Sequence, residues 1–146
     1  MIRINYCSKT TKPLDFDEVG KICRTSAARN NSVDITGFLV FNQDFFVQCL
    51  EGPARAVNDT YHRIARDNRH SDIYIINFEN GISSRSFAHW DLAYVTAKEV
   101  SKEIYYPFMS SGEFDPYTLN AHSVMPFMAA MFNALLNEEA PLVWMA

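Results

Sequence analysis

Apolar residues follow seven consecutive patterns in the first 95 residues, five typical of strands and two typical of helices. Period-two or continuously apolar stretches predict strands over residues 2–8, 32–41, 45–51, 73–78 and 87–95. Asp15 and Glu18 form a capping-box pattern before the first helical stretch, and Pro53 suits the first turn of the second. The order β-α-β-β-α-β-β predicts an α+β ferredoxin-like sandwich with both helices on one face of a mixed sheet.

The pattern changes after about residue 96. Residues 98–108 predict a short helix, and residues 124–136 carry apolar side chains at i, i+3, i+4 and i+7 spacing. We therefore divide the chain into a sandwich domain over residues 1–96 and a C-terminal two-helix appendage over residues 97–146. Because the sandwich helices cover one sheet face only, we expect the appendage to pack on the other face. Any apolar stripe left over predicts a homo-oligomer contact or a partner site.

Composition and charge exclude several classes of function. The 146 residues carry a net charge of −4 and the thirteen basic residues form no run, so we expect neither a nucleic-acid surface nor attraction to an anionic membrane. No apolar stretch approaches the ~18 residues of a membrane span, and no signal-peptide pattern opens the chain. Three scattered cysteines without a CxxC pair indicate neither a disulfide framework nor a metal site, which suits a reducing, cytoplasmic location.

Three polar residues fall on faces that the pattern predicts to be apolar. Tyr6 lies on the apolar face of the first strand, Gln48 lies between apolar neighbours on the third, and Asn30 ends the buried stripe of the first helix. Leaving a buried polar group without its hydrogen bond costs roughly 1–3 kcal/mol, so each group needs a partner. Either these groups satisfy one another and the backbone, or they line a pocket. In such a pocket the carboxamides match the N–H and C=O edges of a flat, imide-like heterocycle bound between the two helices.

These residues belong to four motifs that resemble the BLUF family, which senses blue light using flavin. The motifs are N-x4-I-T-G starting at Asn30, Q-x-L-E-G starting at Gln48, R-H at residues 69–70, and F-x2-W ending at Trp90. They cover roughly residues 1–95 in order and with matching gaps, and they are specific as a set although each is weak alone. The two-helix tail is similar to that of short BLUF proteins without a fused effector.

The resemblance implies FAD, with FMN as the alternative, bound non-covalently between the two helices. By position, Tyr6 matches the redox-active tyrosine of the family, and Gln48 matches the switching glutamine between that tyrosine and flavin N5 and O4. Asn30 matches the asparagine at the C4=O and N3 edge, and Arg69 and His70 match the basic pair near the C2=O edge and beyond. A structural role stays open for His70, which also suits a helix C-terminus.

Four further positions complete the set that the resemblance implies. Ile64 and Asp67 match cofactor-binding positions, and Trp90 and Leu92 match signal-relay positions. Leu92 departs from the family, where Met is usual: leucine has a similar volume but no thioether sulfur to accept a weak hydrogen bond. Trp90 shares a predicted strand face with Leu92 and Tyr94, so a core role is the alternative to signalling.

We therefore interpret the chain as a blue-light photoreceptor in which flavin excitation drives proton-coupled electron transfer from Tyr6 and a hydrogen-bond switch at Gln48. With no effector domain in the tail, we expect a separate downstream protein effector. No Ser-His-Asp set, paired-carboxylate motif or phosphate-cradling glycine loop supports an enzyme. The alternative is a flavin-binding or ligand-free ferredoxin-like interaction module without a photocycle, and an absorption spectrum distinguishes the two.

Overall fold

Six strands form one mixed sheet in a computed structural model of the chain, which describes residues 1–137 and 143–145. The strands are β1 (Ile2–Thr10), β2 (Thr36–Phe41), β3 (Phe45–Gly52), β4 (His70–Asn80), β5 (Leu92–Thr96) and β6 (Val143–Met145). Their order is β4-β1-β3-β2-β5-β6, with β2 and β5 parallel and the other neighbours antiparallel. The predicted element order and α+β ferredoxin-like class are confirmed. Residues 138–142 and 146 of the predicted appendage lie outside the described residues.

Helices α1 (Phe16–Ser32) and α2 (Ala54–Ala65) cover one face of the sheet, called here the inner face. The predicted capping box opens α1: the Glu18 N–H donates to Asp15 Oδ1 at 2.8 Å, and the Asp15 N–H donates to Glu18 Oε1 at 3.5 Å. Two apolar clusters fill the space between helices and sheet. The cluster under α1 gathers residues of β2 and β5, and the cluster under α2 gathers residues of β1 and β3.

The opposite, outer face lies under the C-terminal segment. This segment contains the single-turn helix α3 (Lys102–Tyr105) and the thirteen-residue helix α4 (Val124–Leu136). One apolar cluster joins α4 to the sheet, and its strand residues alternate with those of the inner face, so that Phe38 points outward and Leu39 inward. Burying one large apolar side chain contributes roughly 1.5–3 kcal/mol, so this cluster is the main attachment of α4. Among the described helices, none has both the length and the apolar composition of a membrane span.

Several predicted boundaries are wrong, and the helix predicted over residues 98–108 is only the single turn α3 (Lys102–Tyr105). The first helix continues to Ser32, so β2 begins at Thr36 and not at residue 32. The second helix ends at Ala65, and His70 begins β4 instead of ending a helix. The fifth strand begins at Leu92 and not at residue 87.

The late start of β5 follows from hydrogen bonds that the preceding segment makes elsewhere. The N–H groups of Ser86 and Phe87 each donate to the buried Glu51 carboxylate at 2.9 Å. The Trp90 carbonyl accepts from the Gly37 N–H at 3.1 Å. These backbone groups are therefore satisfied without a strand ladder, and residues 81–91 form turns and bends.

Candidate functional site

A cavity lies between α1 and α2, with the inner face of the sheet as its floor. Its walls combine aliphatic and aromatic side chains with a few polar ones. The lining residues are Tyr6, Ile22, Cys23, Ser26, Arg29, Leu39, Phe46, Gln48, Arg63, Ile64, Asp67, Arg69, His70 and Leu92. Mostly apolar walls with a small number of placed polar groups are typical of a small-molecule or cofactor site.

Tyr6 and Gln48 form the centre of this cavity. The two residues are direct cross-strand partners on β1 and β3, so their side chains emerge side by side. The Tyr6 hydroxyl donates to Gln48 Oε1, and the Tyr6 ring is held edge-on by Tyr61 at 5.6 Å between centroids. Burial raises the pKa of the Tyr6 hydroxyl far above its usual range, with small additions from Tyr61, Cys23 and Asp67. Tyr6 is therefore a neutral phenol that keeps its proton directed at Gln48.

The other end of the Gln48 side chain is not used by the protein. Gln48 is only 6% exposed, and its amide nitrogen has no hydrogen-bond partner among residues 1–137. This nitrogen is not among the fully buried atoms that lack a partner, so it is accessible from the cavity that Gln48 lines. The site thus offers a donor to any ligand that places an oxygen or an unprotonated nitrogen beside Gln48.

His70 closes the cavity beside β1. Its Nε2 donates to the Ile64 carbonyl at 2.6 Å, because a carbonyl can only accept. Its Nδ1 pairs with the Ser8 hydroxyl at 2.8 Å, and Phe46 packs against the ring edge-on. With both nitrogens engaged by protein atoms, His70 serves the cavity as a fixed wall.

Asp67 and Arg69 form an ion pair at the rim. Arg69 Nε donates to Asp67 Oδ1 at 2.9 Å, and Arg69 Nη2 donates to Asp67 Oδ2. The Arg69 side chain is the largest influence on Asp67 and lowers the pKa of this carboxyl to about 2. The carboxylate stays ionised and keeps lone pairs for a ligand hydroxyl or N–H.

Two arginines in the lining were not predicted from the sequence. Arg29 of α1 and Arg63 of α2 both line the cavity, and neither forms an ion pair with any described residue. Burial, with the neighbouring charges of Arg29 and Arg66, lowers the pKa of the Arg63 guanidinium. Helical spacing from Ser26 is the signal that would have placed Arg29 at the cavity. Together these residues give the cavity a positive side that suits carbonyl or phosphate oxygens.

Asn30 is not among the residues that line the cavity. Its side chain is buried, and its Nδ2 donates to the Asp91 carbonyl at 2.8 Å. The neighbouring Asn31 Nδ2 reaches the Asp91 carboxylate at 3.1 Å and 3.3 Å. The end of α1 therefore holds the residue that immediately precedes β5.

Trp90 and Leu92 lie on opposite sides of the sheet. Leu92 is buried and lines the cavity, whereas Trp90 packs on the outer cluster with its ring edge-on to Phe132 at 6.3 Å between centroids. The prediction that Trp90 shares a face with Leu92 and Tyr94 is wrong, because Trp90 precedes β5 and does not follow its alternation.

The fold and the site define a class: a ferredoxin-like sandwich with a cavity between its two helices, above a buried tyrosine–glutamine pair. Residues 1–93 match the family model described as BLUF, sensors of blue-light using FAD. The chain belongs to this family, as the sequence motifs indicated.

Several relatives are photoactivated enzymes in which the matching region is a small part. The photoactivated adenylate cyclase subunit beta of Euglena longa is 35% identical over 94 residues, which are 64% of this chain and 11% of that protein. Subunit alpha of the Euglena gracilis enzyme is 38% identical over 76 residues, or 52% of this chain and 8% of that protein. The present chain therefore spans about a tenth of these relatives.

Solved structures of short BLUF proteins match over most of the chain. The ground state of BlsA superposes with a TM-score of 0.79 at 27% identity, covering 97% of this chain and 90% of that one. The dark state of BlrB, a BLUF protein, superposes with a TM-score of 0.70 at 27% identity, covering 89% and 96%. These likenesses include the C-terminal segment as well as the sandwich.

Proposed function

We propose that the chain is a blue-light photoreceptor in which FAD binds between α1 and α2 and the Tyr6–Gln48 pair converts light absorption into a new hydrogen-bond pattern. The observation that carries the proposal is the buried pair itself. The Tyr6 hydroxyl donates to one end of the Gln48 carboxamide, while the other end belongs to a cavity-lining side chain and has no partner among the described residues. Membership of a family of blue-light sensors that use FAD supports the same function.

The residues present fit a flavin. Ile22, Ile64 and Leu92 supply apolar contacts for the faces of a ring system, and Gln48 supplies an N–H donor for its edge. Cationic side chains and the Asp67 carboxylate suit the carbonyl oxygens and N–H or hydroxyl groups of such a ligand. When bound, the flavin supplies absorption of blue light and an excited state that accepts an electron.

The chain's own part in the photochemistry is proton movement along the Tyr6–Gln48 bond. Loss of an electron makes a phenol strongly acidic, so the Tyr6 proton moves to Gln48 Oε1, the atom on which it is already directed. Once both the electron and the proton have returned to Tyr6, the carboxamide is left either as before or turned about its own axis. Because amide nitrogen and oxygen are nearly isosteric, the two patterns differ little in free energy, and a turned Gln48 is a lit state that decays in the dark.

We propose that residues 1–96 act as the sensor and residues 97–146 as the output unit. Leu92 borders the cavity and Trp90 borders α4, and the Asp91 carbonyl between them is held by Asn30. A change beside Gln48 can therefore reach the outer cluster within two residues of chain. On this proposal Trp90 and Leu92 are the signal relay, and Ile64, Asp67, Arg69 and His70 position the flavin, while Asn30 acts indirectly by holding the Asp91 carbonyl.

We further propose that the chain is a sensor and not an enzyme, that it acts in the cytoplasm as a homo-oligomer, and that it signals to a separate effector protein. The relatives support an effector downstream of the domain, because their names join photoactivation to adenylate cyclase activity. We propose FAD in preference to FMN, since the unpaired guanidinium groups of Arg29 and Arg63 favour additional phosphate. A ligand-free module would leave the Gln48 amide nitrogen at the cavity with no partner among the described residues, whereas the absorption spectrum under blue light distinguishes a flavin-binding module without a photocycle.

Absorption spectroscopy of the purified, FAD-loaded chain tests the proposal. We expect a flavin band that shifts to the red under blue light and recovers in the dark, and FAD in the supernatant after denaturation. Gln48→Leu should keep the flavin and lose the shift, because no carboxamide remains to turn. A chain that takes up no flavin on reconstitution, or a Gln48→Leu variant with the full reversible shift, contradicts the proposal.

A further inference from the structure

Asn5 occupies the outer face directly behind the Tyr6–Gln48 pair. It precedes Tyr6 on β1, and its cross-strand partner is Cys49, which follows Gln48 on β3. The Asn5 side chain is fully buried and points away from the cavity, toward β4 and α4. A polar side chain adjacent in sequence to Tyr6 thus lies beside Met125, which packs against the outer apolar cluster.

The hydrogen bonds of Asn5 are incomplete. Its Nδ2 donates to Asn77 Oδ1 at 2.7 Å and to the sulfur of Met125, in the first turn of α4, at 3.4 Å. Its Oδ1 is the single fully buried side-chain oxygen or nitrogen without a partner in the described part of the chain. Buried polar groups are almost always paired, so this exception requires a physical explanation.

A second arrangement of the two amides has a similar cost. If the carboxamides of Asn5 and Asn77 both turn over, Asn77 Nδ2 donates to Asn5 Oδ1, and the Asn5 nitrogen becomes the unpaired atom. Each arrangement leaves one end of Asn5 without a partner, so they differ mainly in the contact with Met125. In the observed arrangement Asn5 Nδ2 donates to the Met125 sulfur and so links β1 to α4. In the turned arrangement the Asn5 oxygen faces that sulfur, and the link is lost.

The strand pairing beside Asn5 permits movement. Asn5 is opposite Asn77 but Tyr6 is opposite Ile75, so β4 carries one extra residue at the peptide that links Asn5 to Tyr6. A β-bulge of this kind interrupts the ladder locally and allows the strand to change its twist without breaking the pairs on either side.

We propose that Asn5 is a positioning residue for the output of the Tyr6–Gln48 switch, and that its paired carboxamide with Asn77 holds the first turn of α4 in the dark and releases it in the light. The inference rests on the proposed function. It assigns the tail a specific point of attachment that lies outside the cavity and does not involve Trp90 or Leu92.

Asn77→Asp separates the two arrangements. An aspartate keeps the oxygen that accepts from Asn5 Nδ2, but it has no N–H₂ to donate in the turned arrangement, so the dark contact is locked. Asn80→Asp is the matched control, because it adds the same charge to the same strand at an exposed position opposite Ile2. Both variants are studied as full chains loaded with FAD.

The readout is amide hydrogen exchange of residues 128–131, whose N–H groups bond to the carbonyls of the first turn of α4, in darkness and under continuous blue light. In the wild type and in Asn80→Asp we expect light to accelerate exchange by about five- to thirtyfold. In Asn77→Asp we expect an unchanged red shift, and we expect the ratio of lit to dark exchange rates to lie within about twofold of one. Met125→Leu, which removes the sulfur at nearly constant volume, should raise the dark exchange toward the lit value.

Three outcomes overturn the inference. These are a wild type whose red shift forms without faster exchange in α4, an Asn77→Asp variant with the wild-type light response, and an Asn80→Asp variant that loses it. A wild type that binds flavin and shows no red shift contradicts the proposed function itself, and the absorption spectrum recorded in the same sample identifies that case.

Discussion

The two faces of the sheet differ in how completely their side chains are packed. The outer face joins α4 in one large apolar cluster whose only buried unpaired polar atom in the described residues is Asn5 Oδ1. The inner face is divided into two smaller clusters, with a cavity between them that contains guanidinium, carboxylate and carboxamide groups. Packing on the outer face supplies stability, and incomplete packing on the inner face leaves room for a ligand.

The same alternation of side chains produces both faces. In β1 and β3, residues of even number such as Tyr6 and Gln48 point inward, and residues of odd number such as Cys7 and Cys49 point outward. On the proposed function, a light-driven change at an inward residue would act on outward neighbours through the strand that they share. We therefore expect outer-face substitutions to lower stability without abolishing the red shift. Substitutions of inner-face residues at the cavity should abolish the red shift with a smaller change in stability.

The largest stability effect is expected at Glu51. This fully buried carboxylate accepts from Arg3 Nε at 2.8 Å and from the N–H groups of Ser86 and Phe87 at 2.9 Å each. Glu51→Leu should lower the free energy of unfolding by about 3–5 kcal/mol in urea titrations, since it leaves buried donors unpaired. Glu79→Gln is the control, because Glu79 binds the same Arg3 at 2.8 Å but is 39% exposed, and it should cost below about 1 kcal/mol. Equal costs for the two variants would contradict this account.

Core packing on the outer face gives the next effect. Met131 in α4 is fully buried, so Met131→Ala should cost about 2–5 kcal/mol of unfolding free energy by the same measurement. Leu136→Ala, on the same helix but 53% exposed, should cost below about 1 kcal/mol. The comparison requires that Met131→Ala retains the light-induced red shift at temperatures where it is folded. Loss of the shift in folded Met131→Ala would show that the two faces are not separable.

A modest change is expected at Leu92, where the family usually has Met. Leu92→Met nearly conserves volume and should cost below about 1.5 kcal/mol, while it adds a polarizable sulfur beside the cavity. We expect the rate of dark recovery to change more than the affinity for flavin, as measured by absorption and by equilibrium dialysis. An identical recovery rate would mean that Leu92 acts only as a wall.

The smallest effect concerns pH. Arg69 lowers the pKa of Asp67 to about 2 from 3.8, so the pair stabilises the fold above pH 4 and loses this contribution as the pH falls toward 2. Because Arg69 is half exposed, the contribution should be below about 1 kcal/mol. Asp67→Asn should flatten the dependence of unfolding free energy on pH in this range. Asp59→Asn, which removes a carboxylate from an exposed ion pair with Arg55, is the charge-matched control.

Sequence reasoning predicted the parts of the molecule that local pattern determines. The capping box at Asp15, the order of elements and the inward positions of Tyr6 and Gln48 follow from spacing alone. The start of β5 could not be predicted from spacing. The Glu51 carboxylate, which is 35 residues distant from Ser86, accepts hydrogen bonds from the backbone of the segment before β5. Tertiary hydrogen bonds of this kind leave no periodic signal.

Several residues singled out from the sequence line the cavity, including Asp67 and Arg69 at its rim, whereas Arg29 and Arg63 were not singled out. Tyr6 and Gln48 could be identified because polar groups on apolar faces need partners. Arg29 and Arg63 could not, because a charged residue on a helix is most often an exposed one. Trp90 was misplaced for the same reason as β5, since its face follows from where the strand begins. The Asn5–Asn77 pair depends on a bulge between β1 and β4, which the sequence of neither strand reveals.

The hydrogen bond from Tyr6 to Gln48 is the central claim, and light-minus-dark absorption of two tyrosine variants tests it most directly. Tyr61→Phe removes a hydroxyl from the ring that packs edge-on against Tyr6 but leaves the hydroxyl bound to Gln48 in place. We predict that the wild type and Tyr61→Phe show the reversible red shift, and that Tyr6→Phe binds FAD equally and shows none. A full, reversible red shift in FAD-loaded Tyr6→Phe would contradict the account.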